Sequence, residues 1–297
     1  MNGRQSASHF PKTFLLGLGA QKAGTTWVHA FLSRDARVDF GPVKEYHVWD
    51  AVTLPEMSHF DHRSRSRFRA WAEGSSRSLL GLGPNNNSVR GQLQADPDNY
   101  FRFFTDLLAK PGTDITGDIT PAYSGLPATV LAQVRDGFSA RGIGTRAIFI
   151  MRDPAERAIS AATMNRRKND PNEDVPLRGG LDAAVLSYAH SPAARVRDDY
   201  RATVSAIRAV FPEEDTFFGF YETLFSAHEV QRLADFAGVR ADLAFTGSRI
   251  NSHAKTESVS EATRARLREI YKDTYRFCAD AFPETRALWH QAATVRE

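Results

Sequence analysis

Cysteine is almost missing from this chain. Of 297 residues only Cys278 carries a thiol, so no intramolecular disulfide can form and a reducing compartment is the simplest expectation. The residues around Cys278 read as helical, and a buried structural thiol is its expected state. Long apolar runs are missing as well. None approaches the roughly 18 residues of a membrane span, so no span is expected. Met1 to Lys12 are polar, and the apolar run Phe14–Leu18 is too short for a secretory signal. No charge sign dominates. With 38 Lys and Arg against 35 Asp and Glu, the formal charge is +3, too small to argue for nucleic acid. No Cys, His, Asp and Glu cluster has metal-ligand spacing, so no metal is expected. Internal repeats and domain linkers are absent, which predicts one domain over residues 1–297, with 1–12 as a flexible tail.

What is present is an ordinary globular composition, 42% hydrophobic and 25% charged, in a chain long enough to bury a large core. Short apolar runs at Phe14–Leu18, Val38–Phe40, Ile115–Asp118, Ala147–Met151 and Thr216–Phe220 predict strands. Helical patterns follow several of them. That alternation predicts an α/β three-layer sandwich with a central parallel sheet and ligands at the C-terminal ends of its strands. Helices are expected over Trp27–Leu32, Asp98–Ala109, the segment after Met151, Thr223–Phe236 and Val259–Phe282. Asp153, Pro154 and Glu156 form a start signal for the third, and Ser258 with Glu261 a capping box for the last. Residues 73–94 and 169–180 read as irregular loops, the kind that serve as lids or stay disordered.

The segment Gly19-Ala-Gln-Lys-Ala-Gly-Thr-Thr-Trp27 follows the first strand and opens a helix. Backbone N–H groups converge at such a turn, and the helix dipole favours an anion there. Gly19 and Gly24 have the Walker spacing, but Thr25 stands where the Walker lysine belongs, and the lysine is inside the loop as Lys22. A second constellation is Arg152-Asp153-Pro154 with Ser160. The arginine leaves a strand end, and the serine lies about two turns into the next helix. A guanidinium fork plus a hydroxyl suits a terminal phosphate. A third is Lys44-Glu45-Tyr46-His47, a carboxylate between cationic and imidazole neighbours. An ion pair of Glu45 with Lys44 and a structural role for His47 fit that pattern as well.

Together these segments resemble the sulfotransferases that use 3′-phosphoadenosine 5′-phosphosulfate (PAPS), over nearly the whole chain from Phe14 to the last helix. The loop with Lys22, Ala23, Gly24, Thr25, Thr26 and Trp27 is similar to the 5′-phosphosulfate loop of that family. Arg152 and Ser160 match its 3′-phosphate site. Lys44 to His47 resemble the Lys-Glu-x-His-Phe stretch of its carbohydrate enzymes, heparan sulfate 3-O-sulfotransferases among them. The resemblance implies Glu45 as catalytic base, Lys22 and Lys44 as the cations around the transferring group, and His47 as an alternative base. Asp118-Ile119-Thr120-Pro121-Ala122-Tyr123 resembles Glu-Lys-Thr-Pro-x-Tyr, with Thr120 and Tyr123 as candidates for the acceptor site beside Glu45 and His47. The family lysine is Ile119 here, which turns the expectation from a polyanion towards a small hydroxylated metabolite, a lipid or an uncharged sugar. Tyr221 matches the tyrosine that approaches adenine, and Lys255 is a candidate for the 3′-phosphate. The family's product is PAP and its chemistry needs no metal. Many Golgi relatives carry a signal anchor, and this chain shows none, so it is expected to be cytoplasmic or to be a truncated piece. Two other classes stay open from the residues: a P-loop NTP-dependent small-molecule kinase, and a non-catalytic nucleotide-binding protein. Oligomeric state is not readable. The runs Arg63, Arg65, Arg67, Arg69 and Arg166, Arg167, Lys168 read first as solvated faces.

Overall fold

The structure is a computed structural model describing residues 11–63, 85–170, 175–176, 178–248 and 258–290. Among the described residues, four strands form one parallel sheet: β1 (Lys12–Gly17), β2 (Ile115–Ile119), β3 (Ile143–Met151) and β4 (Thr216–Phe220), in the order β2-β1-β3-β4. Phe14, Leu15 and Leu16 are fully buried, because helices cover both faces of the sheet and alternate side chains both meet core. The chain places β2 on one side of β1 and then crosses to place β3 on the other, with Leu16 level with Asp118 on β2 and Ala147 on β3. The strand order therefore reverses beside β1, and a crevice opens there past the strand ends.

Aromatic packing fixes one layer. Phe14 stacks on Phe138 of the helix Ala128–Ser139, with ring centroids 4.0 Å apart, and meets Phe104 of the helix Pro97–Leu108 edge-on at 5.0 Å. The latter helix starts as expected: the Asp96 carboxylate accepts from Asp98 N, and Pro97 holds the first position. Cys278 is buried and free, and burial pushes its thiol up to about 12.

Several boundaries differ from the sequence reading, each for a local reason. β1 begins at Lys12, whose ammonium pairs with Asp114 at 2.9 Å; residues 1–10 of the expected tail lie outside the described residues. Val38–Phe40 is not a strand. It makes one bridge, Val38 to Ile115, before Gly41 turns the chain at φ 71° and Pro42 removes a donor. Helix is expected from Thr223, but residues 221–226 turn first, and Ser226 caps a helix over Ala227–Ala237. The last helix is two, Glu261–Ile270 and Lys272–Ala281, interrupted at Tyr271, and its cap is Ser260, which accepts from Thr263 N, not Ser258. Part of the supposed loop 73–94 is a helix, Asn86–Ala95, because the Asn85 side chain accepts from Asn87 N and so caps it. Residues 73–84, most of 171–177, and Arg65, Arg67 and Arg69 lie outside the described residues.

Candidate active site

The loop after β1 is laced to β3: Leu18 N bonds Ile148 O at 2.8 Å, and Ile150 N bonds Gly19 O at 2.8 Å. Gly24 precedes the helix Thr25–Leu32 at φ 87°, and a Cβ there would sit 2.7 Å from Leu224 Cδ2. The backbone angle is one that glycine adopts without cost. The first N–H groups of that helix lack intrahelical partners, and its positive end faces the crevice. Thr25 is buried, Thr26 is partly exposed, and Ala23 is fully buried, so Ala23 offers only backbone. The Trp27 ring is 2% exposed and stacks on Phe31 at 5.2 Å, which anchors the loop from beneath. Lys22 has φ 67°, and its Nζ lies 3.6 Å from Met164 Sδ. Burial, then the charges of Arg152, Arg167 and Lys168, lower its pKa to about 8.

Arg152 leaves β3 and donates from Nη1 to Lys22 O at 2.9 Å, while its guanidinium covers one face of the Tyr221 ring at 4.4 Å. The following helix, Pro154–Lys168, is capped as expected, with Asp153 Oδ1 accepting from Glu156 N at 3.0 Å. Glu156 does not close the capping box, since its carboxylate pairs with Arg264 instead. Ser160, on that helix, lines the same cleft as Lys22 and Arg152.

The opposite wall is the segment Lys44 to Asp50. Glu45 pairs with Lys44 through Oε1 and faces His47 Nε2 through Oε2 at 3.6 Å. Asp50 Oδ2 lies 2.7 Å from His47 Nδ1, and the imidazole stacks on Phe60 at 3.6 Å. Burial opposes charge on His47, but Asp50 and Glu45 outweigh it and raise its pKa to about 9. Burial also opposes ionisation of Glu45, yet His47 and Lys44 hold it well below the usual carboxylate range. The backbone beneath is tied to Asp118, which is fully buried. Thr120 Oγ1 donates to Asp118 Oδ1 at 2.6 Å and accepts from Tyr46 N at 3.0 Å. Tyr123 OH donates to Asp118 Oδ2 at 2.6 Å and accepts from Val48 N at 3.1 Å. Burial pushes Asp118 up to about 6 against the pull of those two hydroxyls.

These walls enclose a cleft of about 1010 Å³. Its lining brings together Lys22, Gly24, Thr25, Thr26, Trp27, Lys44, Glu45, His47, Arg152, Ser160 and Tyr221. Thr120 and Tyr123 are not in it. Both are fully buried and support the Glu45 segment through Tyr46 N and Val48 N. Pro121 and Ala122, between them, do reach the cleft, as do Phe60, Arg90 and Arg197. Ile119 is 1% exposed and packs on Gly17, so the position where the family has lysine is core here. Lys255 lies outside the described residues.

No protein-family model and no curated protein matches this chain. Solved structures do. A sulfotransferase from Alicyclobacillus acidocaldarius superposes over 94% of this chain and 96% of its own at 18% identity, with a TM-score of 0.57. The chain has the sulfotransferase fold. The sulfotransferase domain of the Synechococcus PCC 7002 olefin synthase covers 91% of the chain at 15% identity, TM-score 0.48. That of the curacin biosynthetic pathway covers 91% at 12% identity, TM-score 0.48.

Within this sulfotransferase fold, several residues escape a reading of the sequence. Asp50 stands three residues beyond His47 on a five-residue helix, Trp49–Thr53, too short to show a period. Arg157 is fully buried, pairs with Asp198, and reaches Gln21 Oε1 of the loop after β1 at 3.5 Å, beside Tyr188 OH at 3.3 Å. Arg157 was legible only as one more charge on a helix. Among the described residues no helix is long and apolar enough to cross a membrane, and no group of three or more His, Cys, Asp and Glu gathers to hold a metal.

Proposed function

We propose that this protein transfers the sulfuryl group of PAPS to an acceptor hydroxyl by in-line displacement, releasing PAP. One observation carries the reading. A single cleft in a sulfotransferase fold has a lysine-bearing phosphate loop on one wall and a carboxylate held between lysine and histidine on the other. The loop amides and Lys22 receive the 5′-phosphosulfate, and the fork of Arg152 with the Ser160 hydroxyl receives the 3′-phosphate. Tyr221 borders the nucleotide with the ring face that Arg152 leaves open. Glu45 takes the proton of the acceptor hydroxyl as that oxygen attacks sulfur. Lys22 and Lys44 stabilise the charge that grows on the sulfuryl oxygens and the leaving phosphate.

The shifted acidities support this division of labour. Asp50 and Glu45 favour the protonated form of His47, which favours Glu45 over His47 as the base; the imidazolium orients Glu45 and shares its negative charge. Glu45 paired with Lys44 is a weak base. A bound sulfuryl group competes for Lys44, and that competition frees Glu45 and raises its basicity. The acceptor is a small hydroxylated molecule, a metabolite, lipid or sugar, since the family's lysine position is buried isoleucine here. The protein works in the cytoplasm without a metal.

Calorimetric titration with PAP, then with ATP with and without Mg²⁺, tests the donor class. Tight PAP binding without metal, with weak ATP binding, is the expected result, and turnover of labelled PAPS on a panel of hydroxylated acceptors completes it. Preference for Mg²⁺-ATP would replace the reading with a kinase. PAP binding with no transfer to any acceptor would leave a nucleotide-binding protein.

A further inference from the structure

The helix Asn86–Ala95 touches the Glu45 segment at two points that hydrogen-bond geometry makes specific. Arg90 donates from both Nε and Nη2 to the carbonyl oxygen of Glu45, at 2.9 and 2.7 Å. One turn later Gln94 Nε2 donates to the carbonyl of His47 at 2.5 Å and to that of Phe60 at 2.9 Å. Gln94 Oε1 accepts from His62 N at 2.8 Å, so one buried amide binds three backbone groups on two segments. Residues four apart lie on one helix face, and the two carbonyls they reach are two residues apart in the opposing chain. The opposing chain needs such a hold. His47 sits at φ 52°, a left-handed backbone that costs a non-glycine residue energy and persists only when its surroundings impose it. From the other side the segment rests on Thr120 and Tyr123. Arg90 also lines the cleft, where three of its donors are already committed, the third to Asn87 Oδ1 at 3.1 Å.

We infer that Arg90 and Gln94 are positioning residues: a clamp on the backbone of Glu45 and His47 that sets the carboxylate's place opposite the phosphate loop. The inference rests on the reading of Glu45 as base, but the clamp itself has a readout that does not need turnover. His47 faces Glu45 and Asp50 and is coupled to Asp118; the Arg90 cation acts on those same three carboxylates, and Lys44 pairs with Glu45. Removing the Arg90 cation alone, with the segment held in place, raises the pKa of the imidazolium. Loosening the segment moves His47 away from Glu45 and Asp50 and lowers it. The two effects have opposite sign.

The test uses Arg90→Ala, Arg90→Lys and, as a control on the same helix, the exposed Gln92→Ala. The readouts are kcat, the KM for PAPS, the dissociation constant of PAP, and the His47 titration by NMR. For Arg90→Ala we expect kcat to fall roughly 10- to 100-fold, the scale of a small misplacement of a reacting group, with KM for PAPS and PAP affinity unchanged and the His47 titration moved down from about 9. Arg90→Lys, which keeps the charge and one donor, recovers part of both effects, and Gln92→Ala shows neither. A His47 titration that stays or rises in Arg90→Ala overturns the clamp whether or not the protein transfers sulfuryl. Absence of turnover in the wild type, with the downward shift intact, keeps the clamp and removes the reading of Glu45. If Arg90→Ala does not fold, Arg90→Lys carries the same decision, since the lysine cannot make the bidentate contact.

Discussion

The two walls of the cleft are built on opposite plans. On the phosphate wall the functional groups have few protein partners. Lys22 Nζ lies against the Met164 thioether, the first residues of the helix Thr25–Leu32 line the cleft, and Arg152, Arg167 and Lys168 crowd positive charge around the lysine. That wall is electrostatically unfinished, and an anion completes it. On the base wall the functional groups are paired with one another within the protein. Glu45, His47 and Asp50 form a chain, Asp118 holds the hydroxyls of Thr120, Tyr123 and Tyr100, and Arg90 and Gln94 fix the carbonyls. One wall is made to be changed by its ligand, the other to keep its shape without one. The lesson is that burial by itself does not identify a binding residue here. Thr120 and Tyr123 are buried among hydrogen bonds within the protein, whereas Lys22 is partly buried at the open cleft.

The largest effect that separates the walls comes from Glu45→Gln. On the base wall it removes the proton acceptor and leaves the shape, so turnover falls at least ~100-fold, the scale of a lost general base, while PAP affinity by calorimetry is unchanged. Turnover near wild type would take Glu45 out of the mechanism. Next is Arg152→Ala, on the phosphate wall. It removes a charge-assisted contact to the 3′-phosphate, roughly 1.5–3 kcal/mol. PAP therefore weakens more than adenosine 5′-phosphosulfate, which lacks that phosphate. Equal loss for both ligands would place Arg152 elsewhere, for instance as a support for Lys22 through its carbonyl.

The same contrast decides what was legible in the sequence. The phosphate wall is contiguous: a strand, a glycine-rich turn and a helix start within residues 12–32, and the Arg152–Ser160 stretch is a second such unit. Local chemistry specifies local geometry there, so Lys22, Gly24 and Arg152 are readable. The strand Thr216–Phe220 is readable to the residue for the same reason. The base wall is assembled from four distant segments, and only its Lys44–His47 core has a local signature. The helix Asn86–Ala95 was hidden because three asparagines look like a turn, and Gly91 weakens the helical pattern. Asn85 in fact caps it, and its two tertiary contacts hold it against the segment. Thr120 and Tyr123 are ambiguous for a related reason: a hydroxyl at a strand end suits a ligand and a buried carboxylate equally, and the sequence does not show that Asp118 lies behind them.

The smallest effect is in stability against pH, and it sets the walls against each other directly. His47 on the base wall titrates near 9 in the folded protein instead of the ordinary 6.5. Between those values the folded state holds a proton that the unfolded chain has lost. Its contribution is complete below 6.5 and disappears as pH rises through 9. Lys22 on the phosphate wall titrates near 8 instead of 10.5. Between those values the unfolded chain holds the proton, so stability rises with pH across that window as the penalty of a buried, repelled ammonium is relieved. Each slope is at most about 1.4 kcal/mol per pH unit per proton. In denaturant melts from pH 6 to 10.5, His47→Asn should remove a downward component and Lys22→Met an upward one. Saturating PAP should abolish the Lys22 component alone, because the bound phosphates restore the ammonium's ordinary acidity while leaving the base wall as it was. A PAP-sensitive His47 component would mean that the two walls are coupled, and the base wall would then be responding to the donor rather than waiting for it.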